Sequence, residues 1–363
     1  RMATSLAVSL FLGLEEENWK MKKKCGILTL HRALNYGAFL QAFALQETVK
    51  RLGYNVSIID LEKNKTVERL LLIKCKYPKM VVHHYKLLKK FDEVATQLEI
   101  RSDSLDKYDA VIVGSDELWN LKNGMFKHYP EYLAKSNEKA SFISYAVSAN
   151  SLTPQEFVEL QGQNEDFSGF KAVSVRDTKT FNIVKTLGKI EPAMVLDPTL
   201  IMDSWEPYVK QCKEKNFILY YSMTVDSKER TAVEQFAKQT GKKLITVGCR
   251  NEWCDQMVYA NPFEFIGYVK AADYVVTSQF HGIMFSLVFN KELAIFSQGK
   301  GKVIDAIDRF GLEDREVTET RALFDILAQD MDYDRINTDI RKKRKLSVEW
   351  LDNALRIACD SKE

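Results

Sequence analysis

The sequence predicts two doubly wound α/β domains facing each other across a cleft, on three observations. From Met21 onward, short β-branched or aromatic runs alternate with longer helical stretches, the mark of a parallel sheet with crossover helices. Prolines cluster near 188–192 and 197–207. The alternation then restarts at Phe217, which places a boundary between two such units. The expected division is an extension over 1–20, a first domain over 21–195, a linker over 196–216, a second domain over 217–340 and a C-terminal helix within 341–363 that packs back on the domains.

Each element has its own signal. In the first unit, 25–30 reads as a strand, 38–52 as a helix closed by Gly53 and 56–60 as the next strand. The stretch 64–100 reads as helical, 109–114 and 140–147 as further strands, and 172–175 as the last strand of this half. The second unit alternates a strand over 217–222, a helix over 227–240, a strand over 243–247, a helix over 262–271 and a strand over 273–278. A helix from about His281, a strand over 293–297 and a helix over 302–310 complete it. Val348, Leu351, Ala354, Leu355 and Ile357 recur at helical spacing near the C-terminus.

Composition narrows the function classes. The 363 residues carry 52 Lys and Arg against 50 Asp and Glu, a net charge of +2, which excludes the concentrated basic excess of a dedicated nucleic-acid binder. Six cysteines (Cys25, Cys75, Cys212, Cys249, Cys254 and Cys359) are scattered without a C-x-x-C, so neither a disulfide scaffold nor a zinc site is expected, and a reducing cytoplasm fits. The apolar run 4–14 is too short to span a bilayer. With Arg1 alone before it and Glu15-Glu16-Glu17 after, it reads as an upstream extension or cloning scar, with Met21 the expected start.

Open parallel sheets bind ligands beyond the carboxyl ends of their strands, so chemistry is sought at the strand-to-helix turns. The first turn, Thr29-Leu-His31-Arg32-Ala-Leu-Asn35-Tyr-Gly37, lacks a dinucleotide or P-loop fingerprint. Asn35 and Gly37 read there as a helix cap and a permissive turn residue more readily than as ligand contacts. The turn Gly114-Ser115-Asp116-Glu117-Leu-Trp119 crowds polar groups beside an aromatic, and Ser115 or Asp116 serves equally as ligand group or cap. Arg176 ends another strand, where its fork could clamp a carboxylate or phosphate, although a surface pair with Asp177 is the plainer reading. Thr277-Ser278-Gln279-Phe-His281-Gly282 is the sharpest element. It puts a histidine at a helix start, where the helix dipole disfavours its charged form and a bound anion favours it. Lys300 and Lys302 lie among glycines in a candidate phosphate cradle, and Arg341-Lys-Lys-Arg-Lys345 reads as a solvated helix start or an acidic-membrane contact.

Six strings occur in order: Asn35-Tyr-Gly-Ala-Phe-Leu-Gln41-Ala, Gly114-Ser-Asp-Glu-Leu-Trp119-Asn, Ser144-Tyr-Ala-Val-Ser148, Ser174-Val-Arg176-Asp, Leu196-Asp-Pro-Thr-Leu and Ser278-Gln-Phe-His281-Gly-Ile-Met-Phe-Ser. Together, from about 25 to 311, they resemble the polysaccharide pyruvyl transferase family. The resemblance implies two Rossmann-like domains in a GT-B-like arrangement, with phosphoenolpyruvate as donor and a saccharide, lipid-linked in some cases, as acceptor. A pyruvate ketal and phosphate would be the products, in exopolysaccharide or capsule biosynthesis, with no cofactor and no metal. It implies a cytoplasmic protein, held at the inner membrane face where the acceptor is lipid-linked.

The resemblance makes His281 and Asp116 the catalytic candidates and Arg176 the donor clamp. Asn35, Gly37, Ser115, Trp119, Ser148, Ser278, Gln279, Gly282, Lys300 and Lys302 are the further substrate-binding candidates. Many members carry arginine where this chain has Gln279, so the phosphate must be held by others such as Lys300, Lys302, Arg32 or helix N-termini. The rival readings are a nucleotide-sugar glycosyltransferase, disfavoured because 281–290 holds no carboxylate, and a non-catalytic saccharide-binding protein.

Overall fold

The computed structural model describes residues 16, 18–61, 78–124, 126, 129–135, 139–162, 166–319 and 321–361. The apolar run 4–14 and the first part of the helical stretch predicted over 64–100 lie outside the described residues. No helix among those described is long and apolar enough to cross a membrane.

In the first lobe β1 (Lys24–Leu28), α1 (Tyr36–Arg51), β2 (Asn55–Ile59), α2 (Pro78–Asp92), β3 (Ile100–Arg101), β4 (Ala110–Asp116), β5 (Phe142–Val147), α3 (Pro154–Gln161), β6 (Phe170–Val175), α4 (Thr178–Leu187) and β7 (Ala193–Met194) follow in order. A short α5 (Pro198–Ile201) leads to β8 (Phe217–Tyr221), α6 (Ser227–Thr240), β9 (Lys243–Val247), β10 (Gln256–Val258), α7 (Pro262–Ala271), β11 (Tyr274–Thr277), α8 (Phe280–Val288), β12 (Glu292–Ile295) and α9 (Gly301–Phe310). Two last helices, α10 (Leu323–Leu327) and α11 (Tyr333–Asp360), end the chain.

Local chemistry explains the boundaries. Asp226 accepts from the Glu229 N–H to start α6, and Gly241 leaves it in the left-handed region at φ 64°. Thr153 with Glu156, and Asn261 with Glu264, form capping boxes at α3 and α7, each followed by a proline at the first helical position.

Among the described residues every strand pairing is parallel. The seven-stranded sheet runs β3-β2-β1-β4-β5-β6-β7 and the five-stranded sheet β10-β9-β8-β11-β12. Both therefore reverse strand order at their centre, between β1 and β4 in the first and between β8 and β11 in the second, and a crevice opens beyond the strand ends at each reversal. This is the predicted pair of doubly wound units. Three edge strands escaped the sequence pattern: β3, of two residues, stands at the end of the stretch read as helical to 100, where the helix stops at Asp92; β7, of two, follows the strand expected to be last; and β10, of three, extends the other sheet. Strands this short carry no readable alternation.

An aromatic seam joins the lobes along α1. Tyr36 stacks on Phe265 at 4.5 Å and on Phe91 at 5.4 Å, and its hydroxyl donates to the Ala260 carbonyl at 3.0 Å. Phe39 and Phe43 meet Phe263 edge-on at 5.9 and 5.1 Å, and Trp205 meets Phe285 at 5.1 Å. α1 is buried on nearly all sides, and its first ten residues, Tyr36–Leu45, are apolar but for Gln41 rather than apolar on one face alone.

α11 returns to the first lobe. The Tyr333 hydroxyl donates to Ser286 O at 3.4 Å in the second lobe, whereas Ser347 Oγ accepts from Leu196 N at 3.0 Å and Trp350 lies 6.3 Å from Tyr145. The helix begins eight residues before the expected 341. The basic run is thus mid-helix, and part of it is engaged internally: Lys343 Nζ donates to Arg309 O at 3.0 Å, and Arg344 Nε to Leu200 O at 2.7 Å.

Replacing Tyr36 by alanine removes the centre of the seam and one buried hydrogen bond. The expected loss is about 3–5 kcal/mol of unfolding free energy in a urea titration. A loss below about 1 kcal/mol would show that the lobes do not depend on this contact.

Candidate active site

The strand ends of the two sheets meet at a buried guanidinium. Arg176, at the end of β6, donates from Nη1 to Asp197 Oδ2 at 2.7 Å and from Nη2 to Asp116 Oδ1 at 3.3 Å. It also reaches Ser115 Oγ at 3.4 Å and lies 4.8 Å over the Phe280 ring of the other lobe. Its side chain is 2% accessible. The expected surface pair with Asp177 does not form: Asp177 accepts from Thr180 N and Oγ1 at 2.8 and 2.7 Å and caps α4, and burial raises its carboxyl pKa.

The two carboxylates on Arg176 differ. Asp197 is 1% accessible and is tied by Thr199, whose N–H and hydroxyl donate to Oδ1 at 3.0 and 2.7 Å. Burial alone would raise its pKa, but His281, Arg176 and the Thr199 donors outweigh it and hold the carboxyl below its ordinary value. Asp116 is 14% accessible, sits on a backbone at φ 83°, and has the longer bond to Arg176. A non-glycine residue held at positive φ at a strand end is a strained position of the kind found at functional sites.

His281 completes the group from the second lobe. Its Nε2 lies 3.8 Å from Asp197 Oδ1, is buried, and has no hydrogen-bond partner. Burial pushes its pKa down to about 4, against the pull of Asp197, so the imidazole is neutral at pH 7. Gly37 gives the ring its space, since a Cβ at 37 would stand 1.9 Å from His281 Nδ1. Asn35 accepts from Ala38 N at 3.1 Å and caps α1. The two residues first read as cap and turn thus place the first-lobe helix directly against the second-lobe histidine.

Around this centre the other candidates separate. Ser278 Oγ shares a 2.5 Å bond with Ser222 Oγ at the second sheet's reversal and accepts from Lys300 Nζ at 3.1 Å. Gln279 is the residue before α8, its N–H on Thr277 Oγ1 at 3.0 Å and its amide on Ser278 Oγ at 3.2 Å. Lys300 is half-buried beside them, its pKa lowered by burial and by Lys302. Lys302 is not a free cation of a cradle but pairs with Glu117 across the lobes at 2.6 Å. Ser148 is fully buried, donates from its N–H to Asp116 O at 2.9 Å and accepts from Asn150 N at 3.0 Å, so it braces the Asp116 turn.

Two candidates are structural. Trp119 is wholly buried against Phe167 and Phe170, its indole N–H on Tyr132 O at 2.7 Å, so it is a core residue rather than a ligand contact. Gly282 leaves room for Thr277, whose Oγ1 would lie 2.3 Å from a Cβ.

Sequence reasoning missed Asp197 as the fixed partner of Arg176. The Asp-Pro-Thr string carried the signal, because an aspartate two residues before a threonine can bond both its N–H and its hydroxyl. It also missed the buried His31, which lies 3.8 Å from Asp60, itself paired with Arg32, and accepts no part of the Arg176 group. Thr29 links that cluster to the centre by donating to Ser115 O at 3.1 Å. Among the described residues no group of three or more His, Cys, Asp or Glu could hold a metal ion.

Similar solved structures include UDP-GlcNAc 2-epimerase from Methanocaldococcus jannaschii, with TM-score 0.46 and 10% identity over 88% of this chain and 92% of that one. Arabidopsis thaliana UGT89C1 gives TM-score 0.49 and 10% identity over 93% and 99%. A Thermobaculum terrenum O-GlcNAc transferase variant gives 0.45 and 9% over 95% and 69%. No curated protein matches the sequence. The sequence model of the polysaccharide pyruvyl transferases matches residues 35–299, most of both lobes and all of the Arg176 centre, and the chain belongs to that family.

Proposed function

We propose that this protein transfers the pyruvyl group of phosphoenolpyruvate to two hydroxyls of a saccharide, forming a cyclic ketal and releasing phosphate. The observation that carries the reading is Arg176, a buried fork shared by one fixed carboxylate and one loose one, beside a neutral histidine from the opposite lobe. A donor with a carboxylate can take the place of the loosely held Asp116 on Arg176 while Asp197 stays. Asp116, once displaced, is an unpaired carboxylate facing the acceptor and able to take a hydroxyl proton.

His281 is suited to the phosphate end. Its neutral ring lies in the first turn of α8, whose free N–H groups favour an anion, and an arriving phosphate favours the protonated ring. Lys300 donates to Ser278 O and Oγ at 3.1 Å, two residues before that helix, and supplies a second cation there. The reaction balances without a cofactor. The vinyl carbon gains a proton as the first hydroxyl oxygen bonds to C2 and loses its own. The C2–O bond to phosphate then breaks, and the second hydroxyl closes the ring, its proton passing to His281 or phosphate. α8 carries no carboxylate to hold a nucleotide ribose, which disfavours a nucleotide-sugar donor.

The test incubates the protein with phosphoenolpyruvate and saccharides and follows phosphate release and product mass. Release that requires a diol acceptor, and that falls about a hundredfold or more in Arg176→Lys, is expected, because lysine keeps the charge but loses the two-sided fork. Incorporation from a nucleotide sugar, with phosphoenolpyruvate inert, would overturn the assignment. Arg176→Ala is the poorer probe, since it strands Asp197 and costs about 3–5 kcal/mol of stability.

The depressed pKa of His281 also predicts a pH dependence. Between pH 6.5 and about 4 the unfolded chain binds a proton at this residue and the folded chain does not. Its contribution is therefore present above pH 6.5 and lost as pH falls through that window, at up to about 1.4 kcal/mol per pH unit. Urea titrations at several pH values should show a steeper loss below pH 6.5 in the wild type than in His281→Asn. Parallel profiles would mean that the ring is not held neutral.

A further inference from the structure

One face of α9 bears Lys302, Asp305 and Arg309, at the three- and four-residue spacing that aligns side chains along a helix. All three cross from the second lobe to the first, each to a different part of the Arg176 centre. Lys302 pairs with Glu117, directly after Asp116, at 2.6 Å. Asp305 Oδ1 accepts from the Thr178 N–H at 2.9 Å, two residues beyond Arg176. Arg309 donates from Nη1 to the carbonyl of Arg176 itself and from Nη2 to the carbonyl of Val195 at 3.3 Å, two residues before Asp197.

The opposite face of α9 carries the buried Val303, Ala306, Ile307 and Phe310, which anchor the helix in the core. Arg309 thus spans, with one planar group, the two backbone segments that hold the two halves of the Arg176–Asp197 pair. A guanidinium spent on two carbonyls fixes position rather than adding the strength of a charge pair. Burial lowers its pKa, the cost of placing a cation there.

We propose that Arg309 is a positioning residue and α9 a clasp, which together hold Arg176 and Asp197 in register from the second lobe. Affinity for the donor then depends on the contacts that α9 makes across the lobes. This inference rests on the reading of Arg176 as the donor clamp, and the experiment separates the two.

Arg309→Met and Arg309→Lys are compared with wild type by calorimetric titration with phosphoenolpyruvate, by steady-state phosphate release, and by hydrogen exchange of the free proteins. In Arg309→Met, Kd and KM for phosphoenolpyruvate are expected to rise about tenfold or more, with kcat changed less than about threefold. Arg309→Lys, which can still donate to one carbonyl, should recover part of the affinity. Without ligand, the amides of 174–180 and 195–199 should exchange faster in Arg309→Met while those of β8 and β9 are unchanged. Wild-type affinity and unchanged exchange in both variants would overturn the clasp. Failure of the wild type to bind phosphoenolpyruvate would overturn the donor assignment, leaving the exchange comparison to decide the clasp by itself.

Discussion

A guanidinium buried at the junction of two lobes is the constraint on which the rest of the site depends. Arg176 is almost inaccessible, and a cation so placed is tolerated only where carboxylates and hydrogen bonds replace water. Asp197 meets that requirement permanently, because Thr199 fixes it from the other side. Asp116 meets it provisionally, from a more accessible position and a longer distance. On the proposed function, that asymmetry is what lets Asp116 give way to an incoming anion while Asp197 stays.

The architecture brings this about from two directions. Each sheet reverses its strand order at its centre, and the strand ends and turns at the reversal carry Thr29, Ser115 and Asp116 in one lobe and Ser222 and Ser278 in the other. An aromatic seam along α1 holds the lobes together at the level of Tyr36, one residue from Gly37, whose missing side chain admits His281. Packing and chemistry therefore share one helix start. α11 ties the far side, running from the second lobe back to the Leu196 backbone.

Much of this was legible in the sequence. The alternation of strand and helix gave both sheets, and α6, β9 and α7 end where the turn and cap signals put them, because Asp226, Gly241 and Pro262 act locally. Arg176 and His281 stood out as charged or titratable residues at strand ends, and the structure brings both to one centre. Their partners could not be read, since the pairing of Arg176 with Asp197 rather than with the adjacent Asp177 depends on which way the chain turns after β6. Trp119 looked like a binding residue because sequence cannot tell an aromatic at a turn from one folded beneath it. Lys302 looked free because Glu117 lies far away in the chain and on the other lobe.

The neutrality of His281 is where fold and chemistry touch most closely, since burial keeps the proton off, and on the proposed function an arriving phosphate would bring it on. Nitrogen NMR of the His281 imidazole, titrated with pH in the presence and absence of phosphoenolpyruvate, reads this directly. The account predicts a ring that stays neutral down to about pH 4 in the free protein and gains its proton at clearly higher pH when the donor is bound. A ring that titrates near 6.5 in both states, indifferent to the donor, would contradict it.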